Sequence, residues 1–419
     1  MRLGLSRSEI SGAFADLGLL IPLEAALIAV NGLNPTSTLL GVGILYIAAG
    51  WYFGLPMPVQ PLKALAAIAI AEQLSPDVIA AGALLMSLSL GVLAVTGLID
   101  RLYAIVPTVV VRGIQLGLAY VLIRGALRLL DDPIAADAAQ PALSALGVSV
   151  RLMVIVAPLA LLAIVLLVRR PTIPASVAVL VAGVAAGLVF GRWHGGAALG
   201  PVSMSVGFPG ADSFATAAAV LLTAQLPLTL ANSVIATADG VRHYFPNRVD
   251  RATPRRISLS IVVGNLWAGF FGGLPVCHGS GGLTAHYRLG ARTAKATALL
   301  GVILIVLAIV FGAATQSVRT LIPMPFFGIL LLFVGIQHVS LAANVEKRRD
   351  LLFVGLTGVL TALFDGNLAY AGGVTLAVYW ALQAGRWLRL AVAAPAPGAG
   401  PGPGLGRVEG SPLEPPQAG

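Results

Sequence analysis

Apolar runs of roughly helix-spanning length, separated by short polar or charged turns, recur along almost the whole chain. They fall at about 10–30, 36–53, 78–99, 104–127, 153–168, 173–190, 214–238, 257–271, 294–314, 321–342, 351–363 and 367–382. A helix needs about 17–25 such residues to cross a hydrocarbon core, and a helix apolar on all sides is buried in protein or lipid. Two further stretches, 54–72 and 272–287, are as apolar as these but interrupted. The pattern predicts an all-α polytopic membrane protein with about 14 transmembrane segments, the third and tenth of them broken.

The interruptions are specific. Gly272-Gly273-Leu274-Pro275-Val276-Cys277-His278-Gly279-Ser280-Gly281-Gly282 carries five glycines and a proline. Proline lacks an N–H and glycine weakens a helix interior, so this segment cannot be one continuous helix. Irregular backbone is tolerated at membrane depth only inside protein or beside a cavity. The expected form is an extended lead-in followed by a half-helix that starts near Gly279. Gly54-Leu55-Pro56-Met57-Pro58-Val59-Gln60-Pro61-Leu62-Lys63 has the same Gly-Leu-Pro beginning, and a half-helix is expected from about Leu62 to Ala71. Interrupted segments at matching places in two halves point to a transporter binding site, and helix N-termini attract anions.

Other echoes support two halves, residues 1–191 and 212–390. Ala15-Asp16-Leu17 is matched by Ala224-Gln225-Leu226, and Ile105-Val106-Pro107 by Leu321-Ile322-Pro323. Seven segments per half would invert the second copy relative to the first, as in inverted-repeat transporters. Residues 391–419, rich in Pro, Gly and Ala, have too little apolar content to fold and leave no room for a further folded domain.

Composition agrees with the pattern. The chain is 58% hydrophobic and only 10% charged, far below the charge content of a soluble domain. A net charge of +9 is then read through the positive-inside rule rather than as nucleic-acid binding. With a cytoplasmic amino terminus, alternation puts 19 of the 26 Lys and Arg on the cytoplasmic side. Both termini are therefore expected inside a cell (inner) membrane. No cleavage site follows the polar lead Met1–Glu9, so no removed signal peptide is expected. The single cysteine rules out an internal disulfide.

Lys63, one of three lysines, lies just inside a half-helix start. Burying a cation there costs about 2.5–3.5 kcal/mol, which suggests that it faces an oxyanion; an ion pair with Asp16 or Glu24 is the alternative. Leu62 sits at the start of that half-helix. Gln60 either donates to an anion or caps the broken segment. Asp16 and Glu24 share a helix face in the first span and are candidates for a coupling proton. Gln225 and Asn232, seven residues apart, either contact the anion or join helices. His278 either donates to an anion or pins the broken segment, and Gly279, Ser280 and Gly281 supply N–H groups and a hydroxyl. His286, Arg288 and Arg292 suit either a gate or topology signalling. Neither a metal site nor a catalytic Cys277–His278 pair is expected, because further ligands and a suitable geometry are lacking.

Pro58-Val59-Gln60-Pro61-Leu62-Lys63-Ala64 and Gly273-Leu274-Pro275-Val276-Cys277-His278-Gly279-Ser280-Gly281-Gly282-Leu283, continued by Tyr287-Arg288-Leu289-Gly290-Ala291-Arg292, resemble the molybdate transporter family. So does Ser11-Gly12-Ala13-Phe14-Ala15-Asp16-Leu17-Gly18. This family is a branch of the sulfate-permease superfamily that lacks the cytoplasmic carboxy-terminal domain. Thr284-Ala285-His286 and Leu289 depart from its pattern. The resemblance implies a uracil-permease-like fold, with core and gate domains and short strands at segments 3 and 10. It implies a secondary transporter that imports molybdate; sulfate or another small anion is the alternative, and an enzyme or a channel fits less well. The expected partners are an oxyanion, the lipid bilayer and a coupling proton, with a homodimer left open and no cofactor.

Overall fold

The computed structural model describes residues 6–99, 107–131, 142–145, 148–151, 175–189, 198–343, 345 and 347–393. The predicted sixth span, at 153–168, and residues 394–419 of the expected tail lie outside them. The first apolar run is not one helix. It is α1 (Arg7–Ala13), a 3-10 turn (Phe14–Asp16) and α2 (Leu17–Asn31). The tightening occurs where the Gly12 carbonyl meets Nδ1 of His286 at 2.7 Å. Helix α3 (Pro35–Phe53) starts on an Asn34 side-chain cap, has proline in its first turn and ends on left-handed Gly54. These are the residue choices that favour each end of a helix.

The chain then becomes extended through β1 (Gln60–Pro61) and resumes as α4 (Lys63–Ala71). It continues through α5 (Pro76–Thr96), α6 (Thr108–Leu130), the strands β2 (Ala142–Ala145) and β3 (Val148–Arg151), and α7 (Ala175–Val189). The β2–β3 pair is antiparallel, with Ala142 opposite Arg151, and was not predicted from the sequence. The chain continues with a helix, α8 (Ala211–Tyr244), that contains two π turns, Ala217–Leu222 and Thr229–Ile235, on either side of Pro227. After α9 (Pro254–Phe271) come β4 (Val276–Cys277) and α10 (Ser280–Arg288). The chain ends with α11 (Ala294–Leu321), α12 (Met324–Ala343), α13 (Arg348–Leu363) and α14 (Leu368–Ala393). From Ala377 onward α14 belongs to a second compact unit. Among the described residues five helices are long and apolar enough to cross a membrane: Pro35–Phe53, Pro76–Thr96, Val109–Leu130, Ala211–Tyr244 and Ala294–Thr315.

Helix α3 packs along α11, α5 along α9, and α6 against α12 and α13. Gly43 and Gly301 bring α3 and α11 into close contact: a Cβ on either would stand 2.6–2.7 Å from the other's carbonyl oxygen. Small residues at such crossings let helix backbones meet without a hydrophobic driving force.

The two breaks meet. Strands β1 and β4 pair antiparallel, Gln60 opposite Cys277 and Pro61 opposite Val276, and Leu62 N–H donates to Pro275 O at 2.9 Å. Buried backbone polar groups need partners, and distant side chains supply those that so short a ladder cannot. Asn265 clasps β4: its Oδ1 accepts from Val276 N at 3.1 Å and its Nδ2 donates to Val276 O at 2.7 Å. Tyr46 donates to Val59 O at 2.8 Å, and Thr237 to His278 O at 2.7 Å. The carboxyl end of α4 is tied down as well. Asn31 Nδ2 donates to Ala69 O and Leu74 O, at 2.7 and 2.8 Å, and Arg128 donates to Ala71 O at 3.1 Å.

Asn265 therefore does more for stability than an ordinary polar residue in an apolar helix. Asn265→Leu leaves both polar groups of Val276 buried without this partner and should cost about 2–4 kcal/mol. A thermal unfolding series in detergent checks this; an unfolding temperature equal to that of the parent would refute it.

Candidate anion site

Both half-helices start with extended N-cap residues, Leu62 (φ −64°, ψ 98°) and Gly279 (φ −80°, ψ 134°), and neither N-cap side chain accepts from the helix. Each is nine residues long. The ladder places the two starts side by side. The ammonium of Lys63 stands 3.4 Å from where a Cβ on Gly279 would be. Lys63 is half-buried, and among the described residues no carboxylate lies within ion-pair distance of Nζ and no group accepts its hydrogen bond.

Three glycines at the second start have different surroundings. A Cβ on Gly279 would sit 2.1 Å from Gln60 Oε1, and one on Gly282 would sit 2.4 Å from Gln60 Nε2 and 2.5 Å from Asp16 Oδ1. At Gly281 a Cβ would meet nothing within 4 Å, and the residue is exposed. Open space therefore lies beside Gly281, in the first turn of α10. The Ser280 hydroxyl, half-buried beside it, donates to Asn232 Oδ1 at 3.1 Å.

The other candidates divide by what already holds them. Gln225 spans α8 and α4: its Oε1 accepts from Leu65 N at 2.9 Å and its Nε2 donates to Thr229 Oγ1 at 2.8 Å. His278 has both ring nitrogens occupied. Nδ1 lies 2.7 Å from Pro58 O, and because a carbonyl only accepts, this nitrogen carries hydrogen. Nε2 lies 2.8 Å from Ser260 Oγ. In this arrangement the ring braces the strand crossing rather than facing the space at Gly281.

Asp16, a coupling-proton candidate in the sequence, is only 2% exposed. Its Oδ1 accepts from Gln60 Nε2 at 2.6 Å, and its Oδ2 faces Tyr46 OH and His286 Nε2, each at 3.0 Å. His286, a departure from the family pattern, thereby joins α10 to the first span. Gln60 Oε1 remains buried without a partner, as does Glu24 Oε1 in α2. Arg288 is exposed, and the Arg292 guanidinium lies 3.7 Å over the Tyr287 ring. Tyr46, Thr237, Ser260 and Asn265 were missed in the sequence. The available signal was a polar group inside an apolar run, and only the strand crossing explains why it is there.

Two half-helix N-termini crossing at a short ladder inside a polytopic helical protein define the class: a membrane-transporter fold. Over 87% of its length this chain is similar to the transmembrane domain of a cyanobacterial bicarbonate transporter, BicA, covering 97% of that chain with a TM-score of 0.60 at 17% identity. It is similar in the same way to the murine solute carrier 26 family member A9 anion transporter in the inward-facing state, over 90% of this chain and 68% of that one, with a TM-score of 0.62 at 13% identity. The profile of the family described as "Molybdate transporter of MFS superfamily" matches residues 8–122 and 217–337. Molybdate transporter 2 of Arabidopsis thaliana is 30% identical over 414 residues, covering 90% of this chain and 87% of the plant protein. Molybdate transporter 1 of Chlamydomonas reinhardtii is 28% identical over 92% of this chain and 95% of its own. The chain belongs to the molybdate transporter family, and it is a transporter rather than an enzyme.

The glycines give a direct test of the geometry. Gly281→Ala should change stability by less than about 0.5 kcal/mol. Gly282→Ala must displace Gln60 or Asp16 and should cost about 1–3 kcal/mol. Thermal unfolding of the two variants side by side checks the difference; equal unfolding temperatures would contradict the packing described.

Proposed function

We propose that the protein is a secondary transporter that imports molybdate, a tetrahedral dianion, and binds it between the starts of α4 and α10. The observation that carries this reading is the Lys63 ammonium, half-buried where two helix N-termini keep free N–H groups, with no carboxylate paired to it among the described residues. Lys63 supplies the charge. Backbone N–H groups at Lys63, Ala64, Ser280 and Gly281 supply donors, and the Ser280 hydroxyl can rotate from Asn232 to the anion. Gln60, Leu62, Gln225, Asn232 and His278 position these groups, and Gly279 lets the two starts approach. The two halves, 1–191 and 212–390, act as inverted repeats, with both termini in the cytoplasm. Movement of the half-helix core against the α6, α12 and α13 gate exposes the site to each side in turn. The positive-inside bias supports this orientation.

Uptake of labelled molybdate into liposomes holding the purified protein tests the reading. Lys63→Ala should lower uptake at least about 100-fold at equal incorporation, because a charge-assisted contact and its field are both lost. Undiminished uptake would remove Lys63 from the site. Excess sulfate added outside discriminates between oxyanions: complete competition would favour a general small-anion carrier.

Glu24 is the stronger candidate for proton coupling, since its buried Oε1 lacks a partner while Asp16 is bonded on both oxygens. An intramembrane carboxyl without a partner is a functional suspect. Glu24→Gln should abolish the stimulation of molybdate uptake by an inward proton gradient while leaving molybdate–molybdate exchange intact. Stimulation equal to that of the parent would exclude Glu24 as the coupling group.

A further inference from the structure

Between α3 and α9, on the outer surface of the helices, lies a groove of about 420 Å³. Its walls are Leu45, Ala48, Leu259 and Val263, with Val263 63% exposed. At one end Trp51 and Tyr52 stand out from α3, 83% and 51% exposed, and Arg256 closes the rim. The segment beside this rim, residues 245–256, carries Arg248, Arg251, Arg255 and Arg256 against a single acid, Asp250. The guanidinium groups of Arg251 and Arg248 come within 3.1 and 3.4 Å of a Cβ position on Gly54, at the end of α3. Arg256 donates to the Asp250 carbonyl at 2.7 Å, which holds it at the rim.

Exposed tryptophan and tyrosine beside a basic cluster are the side chains of a membrane–water boundary, and arginines there attract anionic headgroups. We propose that this groove binds one anionic phospholipid, an acyl chain along α3 and α9 and the phosphate at Arg255 and Arg256. The floor of the groove leads inward. Ser260 lines it, and its hydroxyl donates to His278 Nε2 at 2.8 Å. Tyr52 meets Phe53 edge-on at 4.9 Å, and Phe53 meets His278 edge-on at 5.7 Å. His278 in turn holds Pro58 O. A bound lipid thus fixes the residue that braces the strand crossing, without touching the anion site.

Native mass spectrometry of the full chain, released from nanodiscs of equal phosphatidylglycerol and phosphatidylcholine, tests the site independently of transport. The parent should retain phosphatidylglycerol over phosphatidylcholine about tenfold, as expected for two or more arginines near a phosphate. Arg255→Gln with Arg256→Gln should cut that preference at least fivefold. Ala48→Trp, which fills the groove and leaves every charge in place, should cut retention to the same degree. Equal retention of the two lipids by the parent, or unchanged retention in Ala48→Trp, overturns the proposal. The inward link is read by hydrogen exchange. Phosphatidylglycerol should slow exchange in residues 273–283 at least threefold in the parent and leave it unchanged in Ser260→Ala, with lipid retention kept. No slowing in the parent refutes the link.

Discussion

The structure depends on the pairing of two short extended segments in the middle of an apolar protein. A two-residue ladder cannot satisfy its own polar groups, and at membrane depth they must find partners within the protein. The shortfall is met by side chains: Asn265 from α9, Tyr46 from α3, Thr237 from α8 and, within the crossing, the ring of His278 each take a backbone group. Because Asn265, Tyr46 and Thr237 come from three different helices, the crossing ties together the helices around it. What it secures is a pair of helix starts with spare donors, facing each other across the ladder.

That arrangement explains why so many polar residues near the site are not available to a ligand. Gln225 looks like a binding residue on its helix face, yet its oxygen is committed to Leu65 N and its nitrogen to Thr229. Asp16 looks like the counter-charge to Lys63, yet it is drawn into contact with Gln60, Tyr46 and His286. Among the described residues no carboxylate is within ion-pair distance of the ammonium. The π turns of α8, on either side of Pro227, fall in the same stretch of helix as Gln225 and Asn232, and such bulges are frequent where a helix serves a site.

Much of this was legible in the sequence because the rules involved are local. Proline without an N–H and clustered glycines break a helix wherever they occur, so the breaks at Pro61 and Pro275 and the half-helix beginning at Lys63 could be placed to within a residue or two. Apolar length located the long helices. Roles that depend on who meets whom could not be read. Asn265 and Tyr46 were single polar residues in apolar runs until the strands arrived beside them. His278 was recognisable as important in kind, but whether its ring braced the backbone or faced a ligand depended on Pro58 and Ser260. The 3-10 turn at Phe14–Asp16 likewise reflects a meeting with His286, 270 residues from Asp16. The hairpin at Ala142–Arg151 is too short for its alternation to stand out from the apolar background.

Charge bookkeeping at the crossing favours a particular kind of solute. Each helix start carries about half a positive charge, and two of them with one ammonium sum to about +2. A singly charged anion would leave about one positive charge uncompensated in a low-dielectric setting, and a neutral solute would leave all of it. In the proposed reading, a tetrahedral dianion with oxygens pointing outward in all directions accepts from both helix starts and from Lys63 at once. Asp16 also lies at the crossing, but it is paired with His286, whose two ring nitrogens face only Asp16 Oδ2 and the Gly12 carbonyl, so the charge of the helix starts and of Lys63 is left for the ligand to balance.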